Sequence, residues 1–482
     1  MFYDTLLPTL SARRNAAGYT CGDESVTNGE LLCMAAGIFS RIASDAPVAL
    51  YGHKQPYMKA AVLACICAGV PYVPLDSSLP RARLEMILQR TQPALITGDW
   101  PYGGDVPVLP AHLCAAADDS ALRVRPRSPD APCYILFTSG SSGKPKGVRV
   151  SYANVDTCVR WLQTLVPKPR GSILNQARFS FDLSVADLYL SFLYGAHHVA
   201  IPDGEARDFP LLFSRLRQSG AQIAVWTPSY AQFLLTDRAF NETLLPELRT
   251  ILFCGEPLLP ALAQKLLDRF PHTVVFNCYG PTECTFAVTA ARITSREAAL
   301  PILPVGAVKD GVRITITDES GCALPDGERG EIRICGDSVA LGYLDDADGD
   351  AFYSAEGVRA YRTGDCGYRQ NGLLFVTGRK DRQLKLSGFR VEPGEIENTL
   401  LRMDRVRSAV VLARKDAQER VLYLQAFVQT RPFVPPESLR AALAETLPGY
   451  MLPRIRCVDA IPLTENGKCD TEMLWKLPEK KE

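Results

Sequence analysis

The chain has 482 residues, more than one hydrophobic core usually supports, so two or more domains are expected. Apolar residues make up 47% of it and charged residues 22%, which is ordinary for a soluble globular protein. The 53 basic residues equal the 53 acidic ones, and this zero net charge argues against a surface for nucleic acid or membrane.

The start of the chain lacks the features of a signal peptide, because neither a basic segment nor an apolar one follows Met1. An apolar stretch at residues 60–73 is too short to span a membrane and contains Pro71. We therefore expect a cytoplasmic protein without membrane insertion.

Fifteen cysteines raise the question of disulfides or a metal site. No C-x-x-C pair is present, and the closest spacing is Cys65-Ile66-Cys67. Most cysteines lie in apolar stretches, as Cys33 and Cys335 do. Without a signal peptide, reduced buried thiols are expected rather than disulfides or zinc ligands.

Helical and strand-like segments alternate from the N-terminus to about residue 379. The predicted strands, in chain order, are residues 48–51, 71–75, 134–137, 221–226, 250–254 and 273–276. The predicted helices between them include residues 59–68 and 261–270. This alternation predicts α/β layers with parallel sheets.

Beyond residue 310 the pattern changes to short antiparallel strands. These are predicted at residues 330–335 and 373–377, and a charged, glycine-led turn at residues 378–382 then interrupts the pattern. A compact α+β segment follows. It is predicted to hold a helix at residues 393–402, strands at residues 408–413 and 422–428, and a frayed charged tail at residues 478–482.

The most informative segment, residues 137–147, reads FTSGSSGKPKG after a predicted strand. Glycines let backbone N–H groups approach phosphate oxygens, hydroxyls donate hydrogen bonds and lysines balance negative charge. The Walker pattern is not satisfied, because Pro145 follows Lys144. A solvated Gly/Ser turn is the alternative for this segment alone, but the segments downstream favour a phosphate loop.

Residues 277–283 read NCYGPTE after the predicted strand at residues 273–276. Ligands of α/β proteins bind at the C-terminal edges of strands. Here Tyr279 offers a flat face for a base, Thr282 a hydroxyl for phosphate, and Glu283 a hard oxygen ligand for Mg²⁺. As an isolated string, the segment is equally compatible with a simple turn.

Residues 361–365 read YRTGD and are predicted to end a loop with a carboxylate. Asp365 has the acceptors to bind both ribose hydroxyls of a nucleotide, and Arg379, just before the domain junction, could meet the same nucleotide. A Thr-Gly-Asp string by itself is also typical of a turn.

Asp182 is the outlier in an apolar segment at residues 172–201. A carboxylate in such surroundings needs a cation or several donors. Two roles stay open, and they are compatible: the N-cap of the helix that follows, or the counter-ion of a substrate ammonium group.

Lys468 follows an Asn-Gly turn signal near the C-terminus, so it is predicted to project from a loop. Such a lysine is normally a solvated surface charge. It gains a role only if the small domain carries it to a nucleotide.

Together these segments resemble the motifs of the adenylate-forming superfamily of acyl-CoA synthetases, luciferases and nonribosomal-peptide adenylation domains. The matching segments are residues 138–147, 181–184, 279–283, 361–365, 378–390 and 466–468, which follow the expected order over nearly the whole chain. The resemblance implies a large N-terminal domain, residues 1–379, of layered α/β sheets plus a small β-barrel-like part. It also implies a small mobile α+β C-terminal domain, residues 380–482, and an active site between the two.

The resemblance implies roles for individual residues. Lys468 would reach the substrate carboxylate and the α-phosphate, Asp381 would be the hinge, and Glu283 would bind Mg²⁺. Gly388 and Arg390 would face a thiol in the second half-reaction. The implied ATP contacts are Thr138, Ser139, Gly140, Lys146, Asn277, Cys278, Tyr279, Gly280, Pro281, Thr282, Asp365, Val376, Thr377, Gly378, Arg379 and Lys468.

Within the superfamily, the closer resemblance is to D-alanine–D-alanyl carrier protein ligases. It lies in residues 51–53, 174–177, 179–185 and 253–256. It implies that Asp182 binds the substrate ammonium group and that Cys254 lies beside a small substrate side chain. The implied amino-acid contacts are Asp182, Leu183, Ala186, Val225, Cys254, Phe286 and Lys468.

Three positions depart from those ligases: Ala186 stands where methionine is usual, Cys278 replaces threonine and Phe286 replaces valine. Ala186 enlarges the implied pocket and Phe286 shrinks it elsewhere. One methylene changes discrimination by only about 1–3 kcal/mol. D-Alanine is therefore the first expectation, while glycine, serine and L-alanine stay open, and the changes can also compensate one another.

The expected function is ATP-dependent activation of a small amino acid and its transfer to the phosphopantetheine thiol of a separate carrier protein, with ATP and Mg²⁺ required. The resemblance implies teichoic acid D-alanylation, although an enzyme of a nonribosomal peptide pathway would carry the same motifs. The alternatives are an acyl-CoA synthetase, against which Asp182 argues because a fatty or aryl acid has no ammonium group, and a non-catalytic relative.

Overall fold

A computed structural model describes residues 1–116, 118–140, 145–206, 208–345, 350–416, 420–462 and 469–478. Its strands are β1 Ala17–Cys21, β2 Glu24–Thr27, β3 Val48–Gly52, β4 Tyr72–Asp76, β5 Leu95–Thr97, β6 Val108–Leu109, β7 Pro132–Thr138, β8 Lys146–Ser151, β9 Ser172–Asn175, β10 His198–Ala200, β11 Ala221–Trp226, β12 Thr250–Phe253, β13 Val274–Tyr279, β14 Thr289–Ile293, β15 Ala307–Val308, β16 Val312–Thr317, β17 Gly330–Gly336, β18 Phe352–Ala355, β19 Val358–Gln370, β20 Leu373–Arg379, β21 Leu384–Leu386, β22 Phe389–Val391, β23 Val406–Lys415, β24 Val421–Thr430 and β25 Arg454–Cys457.

The α-helices are α1 Leu6–Ala12, α2 Asn28–Phe39, α3 Pro56–Ala68, α4 Arg81–Thr91, α5 Tyr152–Leu165, α6 Leu183–Tyr194, α7 Phe209–Gln218, α8 Pro228–Leu234, α9 Pro260–Arg269, α10 Ser295–Ala298, α11 Pro393–Leu401, α12 Pro436–Ala444 and α13 Thr471–Lys476. Turns of 3₁₀-helix occur at Phe2–Thr5, Ala111–Leu113, Thr282–Cys284 and Gly449–Met451. None of the helices in the described part of the chain has the length and the hydropathy needed to cross a membrane.

Internal contacts divide the chain into two compact units. Unit 1 comprises Met1–Ser77, Thr91–Leu136 and Gly147–Lys380, and unit 2 comprises Ser78–Arg90, Phe137–Lys146 and Asp381–Glu482. Unit 2 thus includes two segments from the first third of the chain besides its C-terminal part. The prediction of two domains at residues 1–379 and 380–482 stays a prediction.

Unit 1 contains a nine-stranded sheet in the order β15-β14-β13-β12-β11-β9-β10-β1-β2. Its centre, from β13 to β1, is parallel, and its edges are antiparallel. A six-stranded sheet has the order β6-β5-β3-β4-β7-β8, and its pairings from β6 to β7 are parallel. The α/β layers with parallel sheets predicted from the alternation are therefore present.

The remaining sheet of unit 1 is antiparallel and has five strands, with β16-β17-β19-β18 as its path and β20 paired to β19. It lies in the part of the sequence where antiparallel strands were predicted. Its strands bury a small apolar cluster that includes Ile314, Ile332 and Ile334.

Helix ends in unit 1 follow from local sequence signals. Helix α2 begins with a capping box between Thr27 and Glu30, in which each side chain bonds the other residue's backbone N–H. Helix α6 ends at Gly195, whose φ of 55° suits glycine better than other residues. Almost every residue of α3 is buried, because the helix packs in the interior of the large apolar cluster of unit 1.

In its C-terminal part, unit 2 holds a three-stranded sheet in the order β23-β24-β25 and a hairpin of β21 and β22. Helix α11 and the sheet pack around Ile396, Leu400 and Val411. The predicted helix and strands of this part are present, each within two residues of its predicted bounds.

Two segments predicted as turns lie partly or wholly in strands. Strand β13 continues through Tyr279, because residues 275–279 pair with β14. The YRTGD segment at residues 361–365 lies inside β19, where Asp365 pairs with Arg379 of β20. The sheet accommodates the glycines of this region at an irregularity between Cys366 and Gly367. At Gly367 an added Cβ would lie 2.3 Å from the carbonyl oxygen of Phe375, so glycine is required.

All fifteen cysteines lie in the described residues, and none of them forms a disulfide. Nine of them are buried, and Cys322 is exposed. Burial raises the pKa of buried thiols such as Cys65 well above the usual value, so these groups remain protonated and unreactive.

Candidate nucleotide and amino-acid site

A buried carboxylate joins two of the predicted nucleotide segments in unit 1. The Tyr279 hydroxyl donates to Asp365 Oδ2 at 2.7 Å, and Arg379 Nη1 donates to Asp365 Oδ1 at 2.5 Å. The arginine neutralises the carboxylate, and each carboxylate oxygen keeps a second acceptor position. Burial and the nearby Asp365 charge raise the pKa of Tyr279 well above its usual value, so its hydroxyl stays protonated.

The backbone around Asp365 is held by Thr363. The Thr363 hydroxyl donates to the carbonyl of Ile332 at 2.7 Å and accepts the N–H of Asp365 at 3.0 Å. Arg379 Nη2 also donates to the carbonyl of Thr363 at 3.2 Å. The carboxylate is therefore fixed by strand pairing and by side-chain bonds on both sides.

The other predicted ATP contacts of β20 lie beside this carboxylate. Val376 pairs with Gly367, and Gly378 pairs with Cys366, across the irregularity. The Thr377 hydroxyl donates to the carbonyl of Cys366 at 3.2 Å. Both strands that carry Asp365 and Arg379 are thus tied together by side chains as well as by the ladder.

In the NCYGPTE segment, the Asn277 side chain is buried and donates to the carbonyl of Pro304 at 2.9 Å. Pro281 precedes the 3₁₀ turn that contains Thr282. An added Cβ at Gly280 would lie 2.6 Å from Ala287 Cα, so the close approach of these two chain segments requires glycine.

Asp182 reaches the same segment from the N-terminus of α6. Its Oδ2 accepts the Thr282 hydroxyl at 2.6 Å, and its relative exposure is 7%. Asp182 occupies the N-cap position of α6, as predicted, but its side chain makes no capping hydrogen bond. Its carboxylate instead accepts the hydroxyl of Thr282, in the NCYGPTE segment.

Glu283 is fully buried. Its Oε1 accepts the Tyr343 hydroxyl at 2.8 Å, and that hydroxyl lies 3.2 Å from the hydroxyl of Tyr361. Sequence reasoning missed Tyr343, which belongs to none of the motifs recognised in the sequence. This hydrogen bond from Tyr343 helps to fix the orientation of the Glu283 carboxylate.

The donor chemistry of Glu283 fits Mg²⁺. Magnesium is usually held by one or two carboxylates, with water and substrate phosphates completing its coordination. Among the described residues, no group of three or more His, Cys, Asp or Glu side chains is placed to cage a metal. A single hard oxygen at Glu283 therefore suits an ion that arrives with a phosphate ligand.

The predicted amino-acid contacts other than Lys468 and Asp182 share one apolar cluster. Its members from the predicted set are Leu183, Ala186, Val225, Cys254 and Phe286, together with Cys278 from the predicted ATP set. Val225, Cys254 and Cys278 lie at or just beyond the C-terminal halves of the neighbouring parallel strands β11, β12 and β13. This is the edge at which α/β sheets bind ligands.

The chain is strained where it turns from the 3₁₀ turn toward β14. Thr285 and Phe286 have φ values of 59° and 68°, which residues with side chains rarely adopt. The Phe286 ring is 1% exposed, and Cys254 Sγ lies 3.8 Å from the Phe286 carbonyl oxygen. The backbone of this turn therefore directs the Phe286 side chain into the apolar cluster.

Lys309 supports the same turn and was also missed from the sequence. Its ammonium group donates to the carbonyl of Ala287 at 2.9 Å and lies 5.0 Å from the centre of the Trp161 ring. Burial lowers the pKa of Lys309. No motif signals such a lysine, because its partner is a backbone carbonyl.

The remaining predicted contacts lie in unit 2 or outside the described residues. Thr138 Oγ1 is buried and, among the described residues, has no hydrogen-bond partner. The Ser139 hydroxyl donates to the carbonyl of Arg390 at 2.8 Å, and the Gly140 N–H donates to Glu395 Oε2 at 3.4 Å. Lys146 begins β8.

The hinge candidate Asp381 accepts the N–H of Gln383 at 3.2 Å, so it opens the C-terminal part of unit 2 with a side-chain turn. Lys468, predicted to reach the reacting atoms, lies outside the described residues.

A surface cavity of about 500 Å³ lies elsewhere in unit 1. It is lined by Arg238, Asn241, Glu242, Thr243, Asp268, Arg269 and Pro271. None of the predicted site residues lines it, so we place no part of the candidate site there.

Comparison with known proteins decides the family. Residues 27–344 match the family of AMP-binding enzymes, and residues 395–468 match the AMP-binding enzyme C-terminal domain. The chain belongs to the AMP-binding enzyme family. This confirms the resemblance to adenylate-forming enzymes. It also confirms the prediction that the protein is an AMP-forming enzyme that uses ATP.

Two curated relatives of this AMP-binding enzyme carry the name D-alanine–D-alanyl carrier protein ligase. The protein from Bacillus licheniformis is 38% identical over 474 residues, covering 94% of each chain. The protein from Bacillus velezensis is 38% identical over 493 residues, covering 98% of each chain. The closer resemblance to these ligases is therefore confirmed as well.

Solved structures confirm the fold class. The Vibrio cholerae adenylation domain AlmE, in complex with glycyl-adenosine-5'-phosphate, has a TM-score of 0.87 at 24% identity, covering 98% of this chain and 97% of that one. The nonribosomal peptide synthetase protein PA1221, which contains adenylation and carrier domains, has a TM-score of 0.84 at 25% identity, covering 99% of this chain and 85% of that one.

Proposed function

We propose that this enzyme activates a small amino acid, D-alanine first, as aminoacyl-AMP and then loads it onto the phosphopantetheine thiol of a separate carrier protein. The observation that carries the proposal is the bond between Asp182 and Thr282. It places a buried carboxylate, suited to an ammonium group, against the segment expected to bind nucleotide. The names of the curated relatives support D-alanine and the carrier protein.

In the first half-reaction the substrate carboxylate oxygen attacks the α-phosphorus of ATP. An acyl–oxygen–phosphorus bond forms, the bond to the β-phosphate bridge breaks, and pyrophosphate leaves. Asp365 would accept the ribose hydroxyls while Arg379 keeps its charge neutralised. Tyr279 would lie against the base, and Thr138 with Ser139, Gly140 and Lys146 would contact the phosphates.

Bound Mg²⁺ would neutralise charge on the triphosphate, and Glu283 is the residue that would hold it. Lys468 would stabilise the charge that builds on the α-phosphate and the attacking carboxylate. In the second half-reaction the thiol sulfur attacks the acyl carbon, AMP leaves, and the thiol proton goes to solvent. No protein nucleophile is required in either step.

Asp182 would bind the ammonium group of the amino acid. A hydrogen bond from a charged ammonium group to this buried carboxylate would be stronger than the one from the neutral Thr282 hydroxyl. A fatty or aryl acid, the substrate of an acyl-CoA synthetase, has no ammonium group to bond to this carboxylate.

The size of the substrate is set by the apolar cluster. Ala186 and Phe286 are both buried in the large apolar cluster of unit 1. In the proposal, the volume lost at Phe286 compensates for the volume gained at Ala186, and the pocket keeps the size that suits D-alanine. Glycine, serine or L-alanine, in a nonribosomal peptide pathway, is the second candidate, because the buried Phe286 ring occupies room where relatives usually have valine.

The proposal also includes the mobile domain, residues 380–482, with its hinge at Asp381. The second half-reaction needs a path for the thiol, and one lysine cannot stay in the site while a thiol enters. A cytoplasmic location is part of the same proposal, because ATP and phosphopantetheine carriers are found there.

Exchange of labelled pyrophosphate into ATP tests the first half-reaction. We expect exchange that depends on a small amino acid, and we expect Lys468→Ala to lower it by roughly 10²–10³-fold. The thermal stability of this variant should be unchanged, since a lysine of a predicted loop contributes little to stability. Unchanged exchange in Lys468→Ala would contradict its assigned role.

A further inference from the structure

Three segments of unit 2 that are distant in sequence meet at one buried carboxylate. Arg83 of α4 donates from Nη1 to Glu395 Oε1 at 2.7 Å, across 312 residues of sequence. The two side chains are only 4% and 2% exposed. The other oxygen, Oε2, accepts the N–H of Gly140 at 3.4 Å. Glu395 thus binds both the early helix and the start of the predicted phosphate loop.

A second bond ties the same loop to the same part of unit 2. The Ser139 hydroxyl donates to the carbonyl of Arg390, just before α11, at 2.8 Å. Consecutive residues of the phosphate segment are therefore both bound to the region around the start of α11. One of these bonds is to a carboxylate, and the other is to a backbone carbonyl.

Helix electrostatics indicate that Arg83 serves this ion pair and not its own helix. Arg83 is the third residue of α4, where a positive charge is unfavourable because the N-terminal end of a helix is itself partly positive. Glu395, in contrast, lies in the first turn of α11, where a negative charge is favourable. A buried arginine at the wrong end of a helix needs its carboxylate partner.

A carboxylate and a phosphate are the same kind of partner for a backbone N–H. If Gly140 donates to a phosphate oxygen of ATP, as proposed above, it cannot at the same time donate to Glu395. Two anions would also repel one another at this distance. The bond to Glu395 and the bond to nucleotide phosphate are therefore alternatives.

We infer that Glu395, held by Arg83, is a positioning residue that binds the phosphate loop once pyrophosphate has left and releases it when ATP binds. The bond between Glu395 and Gly140 would weaken ATP binding and favour the conformation in which the thiol attacks. The part of this inference that concerns thiol transfer rests on the proposed function. The part that concerns ATP binding rests on membership of the AMP-binding enzyme family and on the proposed contact of Gly140 with a phosphate of ATP.

The test compares the intact protein with three variants. Glu395→Gln keeps the shape of the side chain and removes its charge. The double variant Arg83→Met/Glu395→Met removes the whole ion pair without leaving a buried charge, an exchange that proteins often tolerate. Glu397→Gln is the matched control, because Glu397 lies on the same helix and pairs with Arg382.

We expect Glu395→Gln and the double variant to bind ATP roughly five- to tenfold more tightly, measured by calorimetry with ATP and no amino acid. We expect transfer from preformed aminoacyl-AMP to a phosphopantetheine carrier, in a single turnover, to fall by roughly tenfold or more. The rate of pyrophosphate exchange should not fall, and Glu397→Gln should match the unaltered protein in every readout.

Unchanged ATP affinity in both variants would overturn the inference. It would also be overturned if exchange and transfer fell by the same factor together with thermal stability, because Glu395 would then have a structural role only. If the unaltered protein shows no exchange with any amino acid, the proposed function fails, and the ATP affinities still decide whether Glu395 opposes nucleotide binding.

Discussion

Asp365 and Asp182 are both buried carboxylates of unit 1, but they are held in different ways. Asp365 has an arginine on one oxygen and a tyrosine hydroxyl on the other, fixed by the pairing of β19 with β20. Asp182 is joined to Thr282, whose hydroxyl carries no charge. The carboxylate expected to bind ribose is thus neutralised by an arginine of the paired strand, whereas the carboxylate proposed to bind the substrate ammonium group accepts a hydrogen bond from a neutral hydroxyl.

The largest expected effect on amino-acid activation lies at Asp182. Replacing it by alanine removes the proposed ammonium partner, and the loss of a buried charged partner costs about 2–5 kcal/mol. We expect kcat/KM for the amino acid to fall by roughly 30- to 5,000-fold on this basis, while ATP affinity stays the same. Amino-acid-dependent pyrophosphate exchange and calorimetry with ATP measure the two effects.

Asp182→Asn is the matched control for shape, since it can still accept the Thr282 hydroxyl. It should lose nearly as much activation as the alanine variant, because charge and not shape binds the ammonium group. A collapse of ATP affinity with amino-acid dependence intact would show that Asp182 belongs to the nucleotide end instead.

Asp365→Asn should act on stability as well as on ATP. Breaking a buried ion pair by removing one partner costs about 3–5 kcal/mol, and Arg379 would be left without its carboxylate. Urea unfolding should show a lower free energy of unfolding, and steady-state kinetics should show a higher KM for ATP.

Asp326→Asn offers a comparison in the same antiparallel region, because Asp326 pairs with Arg369 at an exposed position. Its effect on stability should be within about 1 kcal/mol. If Asp326→Asn and Asp365→Asn lost the same free energy of unfolding, the buried ion pair of Asp365 with Arg379 would contribute no more to stability than an exposed one.

The pocket positions should show smaller and coupled effects. Ala186→Met adds volume to a filled cluster, which costs about 1–3 kcal/mol of stability, and Phe286→Val removes volume from it. In the double variant, the stability lost through each single change should be partly restored, with a coupling energy of about 0.5–3 kcal/mol in a double-mutant cycle.

The readouts of that cycle are thermal unfolding and the ratio of kcat/KM values for D-alanine and glycine. Additive effects in both readouts would show that the two residues do not share one pocket. A coupling seen only in stability would limit their role to core packing.

The smallest expected effect is that of Tyr279→Phe. It removes the hydroxyl that donates to Asp365 but leaves the ring and the Arg379 pair, so the loss should be about 1 kcal/mol. The KM for ATP should rise by less than in Asp365→Asn. An equal rise would mean that the hydroxyl, and not the ion pair, prepares the carboxylate.

The nucleotide end could be predicted from the sequence to a greater degree than the amino-acid end. Tyr279, Asp365 and Arg379 lie in short strings of unusual composition, and the structure joins them directly. The predicted turns around them were wrong because strand pairing of residues up to 279 and through 365 depends on partners distant in sequence. Local propensity contains no information about such partners.

The supporting residues could not have been found in this way. Tyr343 acts on Glu283, and Lys309 on a backbone carbonyl, only because the fold brings them there. The role of Glu395 in unit 2 has the same origin, since its arginine is 312 residues away in sequence. The shape around Ala186 and Phe286 likewise follows from packing and from two consecutive residues with positive φ, which no motif records.

Amino-acid-dependent exchange of pyrophosphate into ATP, measured over D-alanine, L-alanine, glycine, both serine enantiomers and larger amino acids, tests the central claim most directly. The account predicts that one small amino acid, D-alanine first, dominates the panel and that its exchange requires Asp182. Dominance of glycine, serine or L-alanine would keep the chemistry and assign the difference to Ala186 and Phe286. Exchange that is equally fast without any amino acid, or absent with all of them, would contradict the account.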